Sequence, residues 1–224
     1  MLHDRLREIR TQLRLAMNGV ASASMREKGV VYKLNFGVSL PEIKQIAAGH
    51  QPDSELAEAL WKEDIREFKI LASMLQPPEG FSKEQAGQWV KEIPYLEIAE
   101  QCCRNLFARL PYADGFIQEL ISEGEGEYAL TVAYLTGVEL FKAGKKMEAS
   151  VSSALLKECL RSVVSNAAWK ERQAAMKVMK FYGRQSEGQA SEVLNSFNKY
   201  PEFMKTPEGQ EAYNDLKFEF EYYS

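Results

Sequence analysis

Two stretches of the 224-residue chain gather side chains whose types and spacing could do chemistry. In the first, Glu97, Glu100 and Arg104 stand three and four residues apart. At about 100° per residue they share one stripe of a helix, opposite Cys102, Leu106 and Leu110. A carboxylate fixed on an exposed stripe stabilises positive charge that develops on a reacting group. The same spacing also describes a solvated face on which Glu100 pairs with Arg104 at i,i+4, worth roughly 0.2–0.5 kcal/mol. In the second stretch, Lys170, Lys177, Lys180 and Arg184 step by seven, three and four. They occupy one arc of roughly 80°, with Ala168, Ala175, Val178, Met179 and Tyr182 on the other side. Four cations in line meet successive phosphates and release counterions, which is the sequence-independent part of nucleic-acid affinity. The competing reading is a solvated basic helix face.

Other chemistries have little material. His3 and His50 are the only histidines, and both lie near the amino terminus. Cys102, Cys103 and Cys159 make neither an even-numbered framework nor a CxxC pair, so they read as reduced thiols. Metal cages of the His/Cys type and histidine-based triads are therefore not expected, and the sequence contains neither GxGxxG nor GxxxxGK[ST]. No metal and no cofactor is expected, and any catalysis would fall to carboxylates.

The formal charge of -4 hides a segregation along the chain. Residues 1–36 hold seven Lys/Arg against three Asp/Glu, residues 37–141 eight against eighteen, residues 142–184 ten against three, and residues 185–224 three against eight. A basic region inside an acidic protein binds polyanions through the patch at contact. It also pairs readily with the acidic segments around it. The longest apolar runs, such as that from Tyr128 to Phe141, fall short of the roughly 18–20 residues of a membrane span. Arg5, Arg7, Arg10 and Arg14 interrupt what a secretory signal would need to be apolar. A cytoplasmic protein with no membrane partner is expected. Those arginines either extend a basic rim or simply keep the amino terminus solvated.

The elements that must position these side chains are helices. Apolar residues recur at helical steps from Leu56 to Leu75, Leu96 to Leu110, Tyr128 to Lys142, Val151 to Val164 and Trp169 to Tyr182. Pro77, Pro78, Pro94 and Pro111 divide these segments, and Gly144 and Gly183 are read as terminators. Helices of ten to fifteen residues with one wide apolar face bury that face by stacking in pairs, at a spacing that suits HEAT-type repeats. The expected fold is all-α, a right-handed superhelical solenoid of HEAT-like helix pairs in a single domain over 1–224, with a compact irregular bundle as the competing reading. Residues 1–36 would form basic amino-terminal helices, and residues 205–224 an acidic aromatic tail. Leu216, Phe218, Phe220 and Tyr222 alternate like a strand, but in an all-α chain such a tail is expected to dock or fray. Trp61, Trp89, Met176 and Met179 read as packing residues.

MREKGVVYKLNFGVSLPEIKQIA, residues 25–47, and LAEALWKEDIREFKILASML, residues 56–75, resemble the AlkD-like DNA alkylation repair family. There a Met/Lys-rich helix leads to a GV-x-x-P turn and an I-x-x-I-A helix, followed by Leu-Trp, Arg-Glu and a Leu-Ala helix. The resemblance implies a HEAT-like solenoid that holds duplex DNA on its concave face. In active members it implies release of cationic alkylated purines by two exposed tryptophans, an aspartate and an arginine. The family's Trp-Asp-x-x-Asp-Gln motif falls on residues 96–101, which puts Leu96 at the tryptophan and Glu100 at the catalytic carboxylate, with Glu97 a second candidate. Its Trp-x-x-Arg pattern falls on residues 128–131, so Thr131 stands where a phosphate-binding guanidinium is expected, and the second tryptophan falls near Lys177. Three of the four positions depart from the pattern and the fourth keeps only its charge.

The expected function is non-specific binding of duplex DNA through Lys170, Lys177, Lys180, Arg184 and Thr131, with glycosylase activity on alkylated bases weak or lost. The alternative is a HEAT-repeat scaffold for a protein or peptide, since residues 37–141 make an acidic surface.

Overall fold

A computed structural model describes residues 2–165 and 167–223. Among these, regular structure is helical apart from one isolated parallel bridge between Leu34 and Ile65. The all-α expectation is met. No described helix is long and apolar enough to cross a membrane.

The chain divides into two compact units. The first, residues 1–86 and 94–111, opens with α1 (Leu2–Leu15), α2 (Gly19–Glu27) and α3 (Leu40–Ala48). It continues with the pair α4 (Ser54–Trp61) and α5 (Arg66–Leu75). Helix α6 (Lys83–Lys91) spans the division in sequence, and α7 (Leu96–Asn105) returns to the first unit. Helix α5 packs along α3, α4 and α7, while α1 packs on α3 and α4. The apolar faces expected from periodicity do the burying: Leu56, Leu60 and Trp61 from α4, Phe68, Leu71 and Leu75 from α5, and Ile98, Cys102 and Cys103 from α7. Each large side chain so buried stabilises by roughly 1.5–3 kcal/mol relative to exposure.

Helix α7 ends earlier than periodicity suggests. Leu106 leaves the helical region at φ -128°, and a short 3-10 turn over Phe107–Arg109 delivers Phe107 and Leu110 to the core. Pro111 follows, and the residue before a proline is pushed to extended backbone, as Leu110 is at ψ 139°.

The second unit, residues 87–93 and 112–224, contains α8 (Ala113–Glu123), α9 (Ala129–Lys142), α10 (Ala149–Val164), α11 (Trp169–Gly183), α12 (Glu187–Ser196), α13 (Pro201–Met204) and α14 (Pro207–Tyr223). Helices α8 and α9 pair, α10 and α11 pair, and α11 lies along α9. Helix α9 is enclosed on nearly every side. Gly144, at φ +66°, ends it in the left-handed conformation that glycine tolerates best. This repeated packing of helix pairs is what a HEAT-like solenoid requires.

One expectation is corrected here. Gly183 does not terminate α11: it is helical, and Arg184 is the cap. It is small because a Cβ there would lie 2.3 Å from the Phe220 ring of α14. The strand-like alternation near the carboxyl terminus is helix α14, docked on α11, α12 and α13. A period of two becomes two i,i+4 pairs on a helix. Leu216 and Phe220 are buried, while Phe218 and Tyr222 stack on each other in solvent.

Candidate nucleic-acid interface

The site is best built from the first unit, where the two sequence signatures meet. Glu67, fully buried on α5, accepts the backbone N–H of Phe36 at 3.1 Å and that of Val38 at 3.2 Å. Its neighbour Arg66 donates to the Val38 carbonyl at 2.9 Å, to Glu67 at 3.0 Å and to both oxygens of Glu97, at 2.8 and 2.5 Å. Between the two clamped residues, Gly37 has φ +69°, and a Cβ there would fall 2.2 Å from the Asn18 carbonyl oxygen. Only glycine fits. Ser39 then caps α3 in a reciprocal box with Glu42, and Pro41 lies in the first turn. The Gly-Val-Ser-Leu-Pro and Arg-Glu motifs are therefore the two halves of one joint.

That joint decides the fate of Glu97. Burial works against the Arg66 charge, but the Glu97 and Glu67 carboxylates outweigh it and hold the guanidinium pKa above its ordinary value. With both oxygens engaged, Glu97 is a structural partner and not a free carboxylate. Beside it, the buried Tyr32 hydroxyl has no hydrogen-bond partner among the described residues. Its pKa is pushed up by burial and further by the Glu97 charge. Glu100 lies one turn along α7, half-buried, and remains the one expected carboxylate outside the joint. Leu96 offers an aliphatic side chain at the position of the family's first tryptophan, and Trp61 and Trp89 are buried as packing residues.

In the second unit the expected stripe is largely neutralised. Lys170 is paired with Glu127 and sits 4.1 Å from the centre of the Tyr128 ring. Lys180 meets Asp215 at 2.8 Å and Glu219 at 3.7 Å, and Arg184 is paired with Glu219. Both acids belong to α14. The tail thus holds the Lys180 and Arg184 end of the arc. Thr131 is 2 % exposed inside α9. Lys177 alone of the stripe is exposed without an ion pair. With Arg172 and the exposed Trp169 it borders a groove of about 570 Å³, whose other wall is the acidic Glu208, Glu211 and Asp215.

The cations that stay available lie mainly elsewhere. Arg5 is held by Asp53 at 2.8 Å, and Arg10 lies 5.3 Å from the centre of the Phe68 ring and 3.9 Å from Glu63. Arg7, Arg14, Arg26, Lys28, Lys33 and Lys44 are exposed and form no ion pair among the described residues. The excess of seven Lys/Arg over three Asp/Glu in residues 1–36 is the sequence signal for all of them but Lys44. Among the described residues, no cluster of His, Cys, Asp or Glu could hold a metal ion.

The family model for DNA alkylation repair enzymes matches residues 9–125, just over half of the chain. The chain belongs to the DNA alkylation repair enzyme family. The matched segment includes the whole joint and α7, so the family signature here is chiefly the architecture of the first unit. A solved structure described as "A new family of proteins related to the HEAT-like repeat DNA glycosylases with affinity for branched DNA structures" is similar in fold, with TM-score 0.72 and 14% identity over 84% of this chain and 80% of that one. No curated protein matches the chain.

Proposed function

We propose that this member of the DNA alkylation repair enzyme family binds DNA through its phosphate backbone and that its base excision is weak or lost. The observation that carries the binding reading is the set of six exposed, unpaired cations on residues 7–44. Exposed Lys and Arg with no internal anion have condensed counterions of the DNA to release, whereas the paired Lys170, Lys180 and Arg184 would first have to give up a carboxylate. Loss of excision is supported by the engagement of Glu97 with Arg66, by Thr131 inside α9, and by Leu96 and Lys177 where tryptophans are expected. Glu100 is a methylene longer than an aspartate, and a misplacement near 1 Å costs about a hundredfold in rate.

Two assays test the reading. A salt titration on an undamaged duplex of about 20 base pairs should give a linear fall of log K with log[salt], and absence of binding at low salt overturns it. A branched DNA belongs in the same titration, because affinity for branched structures is stated of the similar solved structure. Incubation with duplex carrying a cationic methylated purine should release little or no base. Rapid release by the wild type that Glu100→Gln abolishes would establish a retained glycosylase instead.

A further inference from the structure

The large apolar side chains exposed among the described residues of the first unit all fall between residues 15 and 34. Three of them crowd the turn from α1 to α2: Leu15 is 84 % exposed, Met17 62 % and Val20 83 %. A single exposed aliphatic side chain is ordinary, but three on one six-residue turn form a patch that calls for a partner.

The turn is rigidly mounted. The Asn18 N–H donates to the Phe36 carbonyl at 2.9 Å, and the Asn18 side chain accepts the Ala21 N–H at 3.0 Å, which starts α2. The Ser22 hydroxyl donates to the Asn35 carbonyl at 2.8 Å, and Gly37 packs against the Asn18 carbonyl. Phe36 and Val38 are themselves clamped by Glu67. An apolar tip tied into the core loses little freedom when it is covered.

Its surroundings indicate what covers it. Residues 14–34 contain Arg14, Arg26, Lys28 and Lys33 against Glu27 alone, and among the described residues none of the four cations forms an ion pair. An apolar tip within a cationic stretch complements a polyanion that presents exposed apolar surface. DNA does so where base stacking is interrupted. Apolar side chains wedge between base steps in many architectural complexes, and the unstacking they require is already done at a branch, gap or bulge.

We propose that the α1–α2 turn is a wedge for DNA with broken stacking, in which Leu15 and Met17 cover the unstacked base pair while Arg14, Arg26, Lys28 and Lys33 hold the phosphates around it. The proposal rests on the DNA-binding reading above and adds the element that distinguishes one form of DNA from another. An anionic membrane surface shares the same general complementarity. Membership of a DNA repair family favours DNA.

The test uses the full chain, a four-way junction with 2-aminopurine beside the branch point, and a linear duplex containing the same base. The wild type should prefer the junction by about tenfold and change the 2-aminopurine fluorescence on binding. The double variant Leu15→Ser with Met17→Ser should lose both effects, keep its helical circular dichroism, and bind the linear duplex within about twofold of wild type. Exchanging the two side chains, Leu15→Met with Met17→Leu, should restore the preference. If the wild type binds neither DNA, the DNA-binding reading fails and the wedge with it. If it binds both equally, or if the serine variant keeps the preference, the wedge is overturned while DNA binding stands. Sedimentation with phosphatidylcholine vesicles containing phosphatidylserine is the third arm. Binding that the serine variant loses there, with its junction preference intact, would assign the turn to a membrane surface and overturn the wedge.

Discussion

The Arg66 guanidinium grips Glu97 at both carboxylate oxygens, at 2.5 and 2.8 Å, from a position only 2 % exposed. The same group holds Glu67 and the Val38 carbonyl, so one side chain ties α5 to α7 and to the segment before α3.

Removing Arg66 should be far more damaging than neutralising Glu97. Arg66→Met leaves Glu67 buried and charged, and breaking a buried pair this way costs about 3–5 kcal/mol. Glu97 is one-third exposed and keeps hydrogen-bonding capacity as glutamine, so Glu97→Gln should cost about 1 kcal/mol. Urea denaturation of both variants checks this, and equal losses would contradict the joint.

Salt titration of point variants should separate free cations from paired ones. Arg14→Gln, Lys28→Gln and Lys177→Gln each remove an unpaired charge, and each that meets a phosphate should make the slope of log K against log[salt] shallower by about 0.9. Lys180→Gln removes a charge already held by Asp215 and Glu219, so its slope should match wild type. A loss of slope at Lys180 equal to that at Arg14 would return the stripe to the interface.

Asp53 couples stability to acid. Its carboxylate caps α4 through the Leu56 N–H and also accepts from Arg5, both at 2.8 Å. The Leu56 amide foremost, with Arg5 adding to it, holds its pKa below the usual value against the opposing effect of burial. A carboxyl lowered on folding contributes stability above its unfolded pKa of about 3.9 and loses it as pH falls through the lower folded value. Asp53→Ala should cost about 0.5–2 kcal/mol near neutrality, and the gap from wild type should close below about pH 4. Denaturant melts across pH give the comparison.

The three thiols should be silent in the native protein. All are buried, and burial pushes the Cys102 and Cys159 thiols well above the ordinary range. The thiolate is the reactive form. A disulfide reagent should therefore titrate no cysteine in native buffer and three in denaturant, and prompt native reaction would refute the buried placement.

Gly183 and Phe220 should behave as a pair. With a Cβ at 183 falling 2.3 Å from the ring, Gly183→Ala should destabilise by about 1–3 kcal/mol through overpacking. Adding Phe220→Leu should recover part of that loss in thermal unfolding. A fully additive double variant would show that α14 does not rest on α11 through this contact.

Much of the first unit was legible because the features concerned are local. The breaks at Pro77, Pro78 and Pro94 and the packing roles of Trp61 and Trp89 follow from spacing and proline. Helical period also placed Glu97 beside Glu100 and put the four cations on one arc of α11. What periodicity assigns to one face is a direction, and it does not say what meets that direction.

Tertiary structure made those decisions. Arg66 lies 31 residues before Glu97, and Asp215 and Glu219 lie 35 residues after Lys180 and Arg184. No local spacing rule predicts such pairs, because they form only when α5 meets α7 and α14 folds back on α11. The tail alternates like a strand in sequence because a period of two and two interleaved i,i+4 pairs write the same four aromatic and aliphatic positions. The sequence by itself determined which elements form and which charges are in excess. Only the packing of distant helices decided which of those charges are cancelled internally and which are left facing outward on α1, α2 and the segment before α3, because an ion pair depends on separation in space and not along the chain.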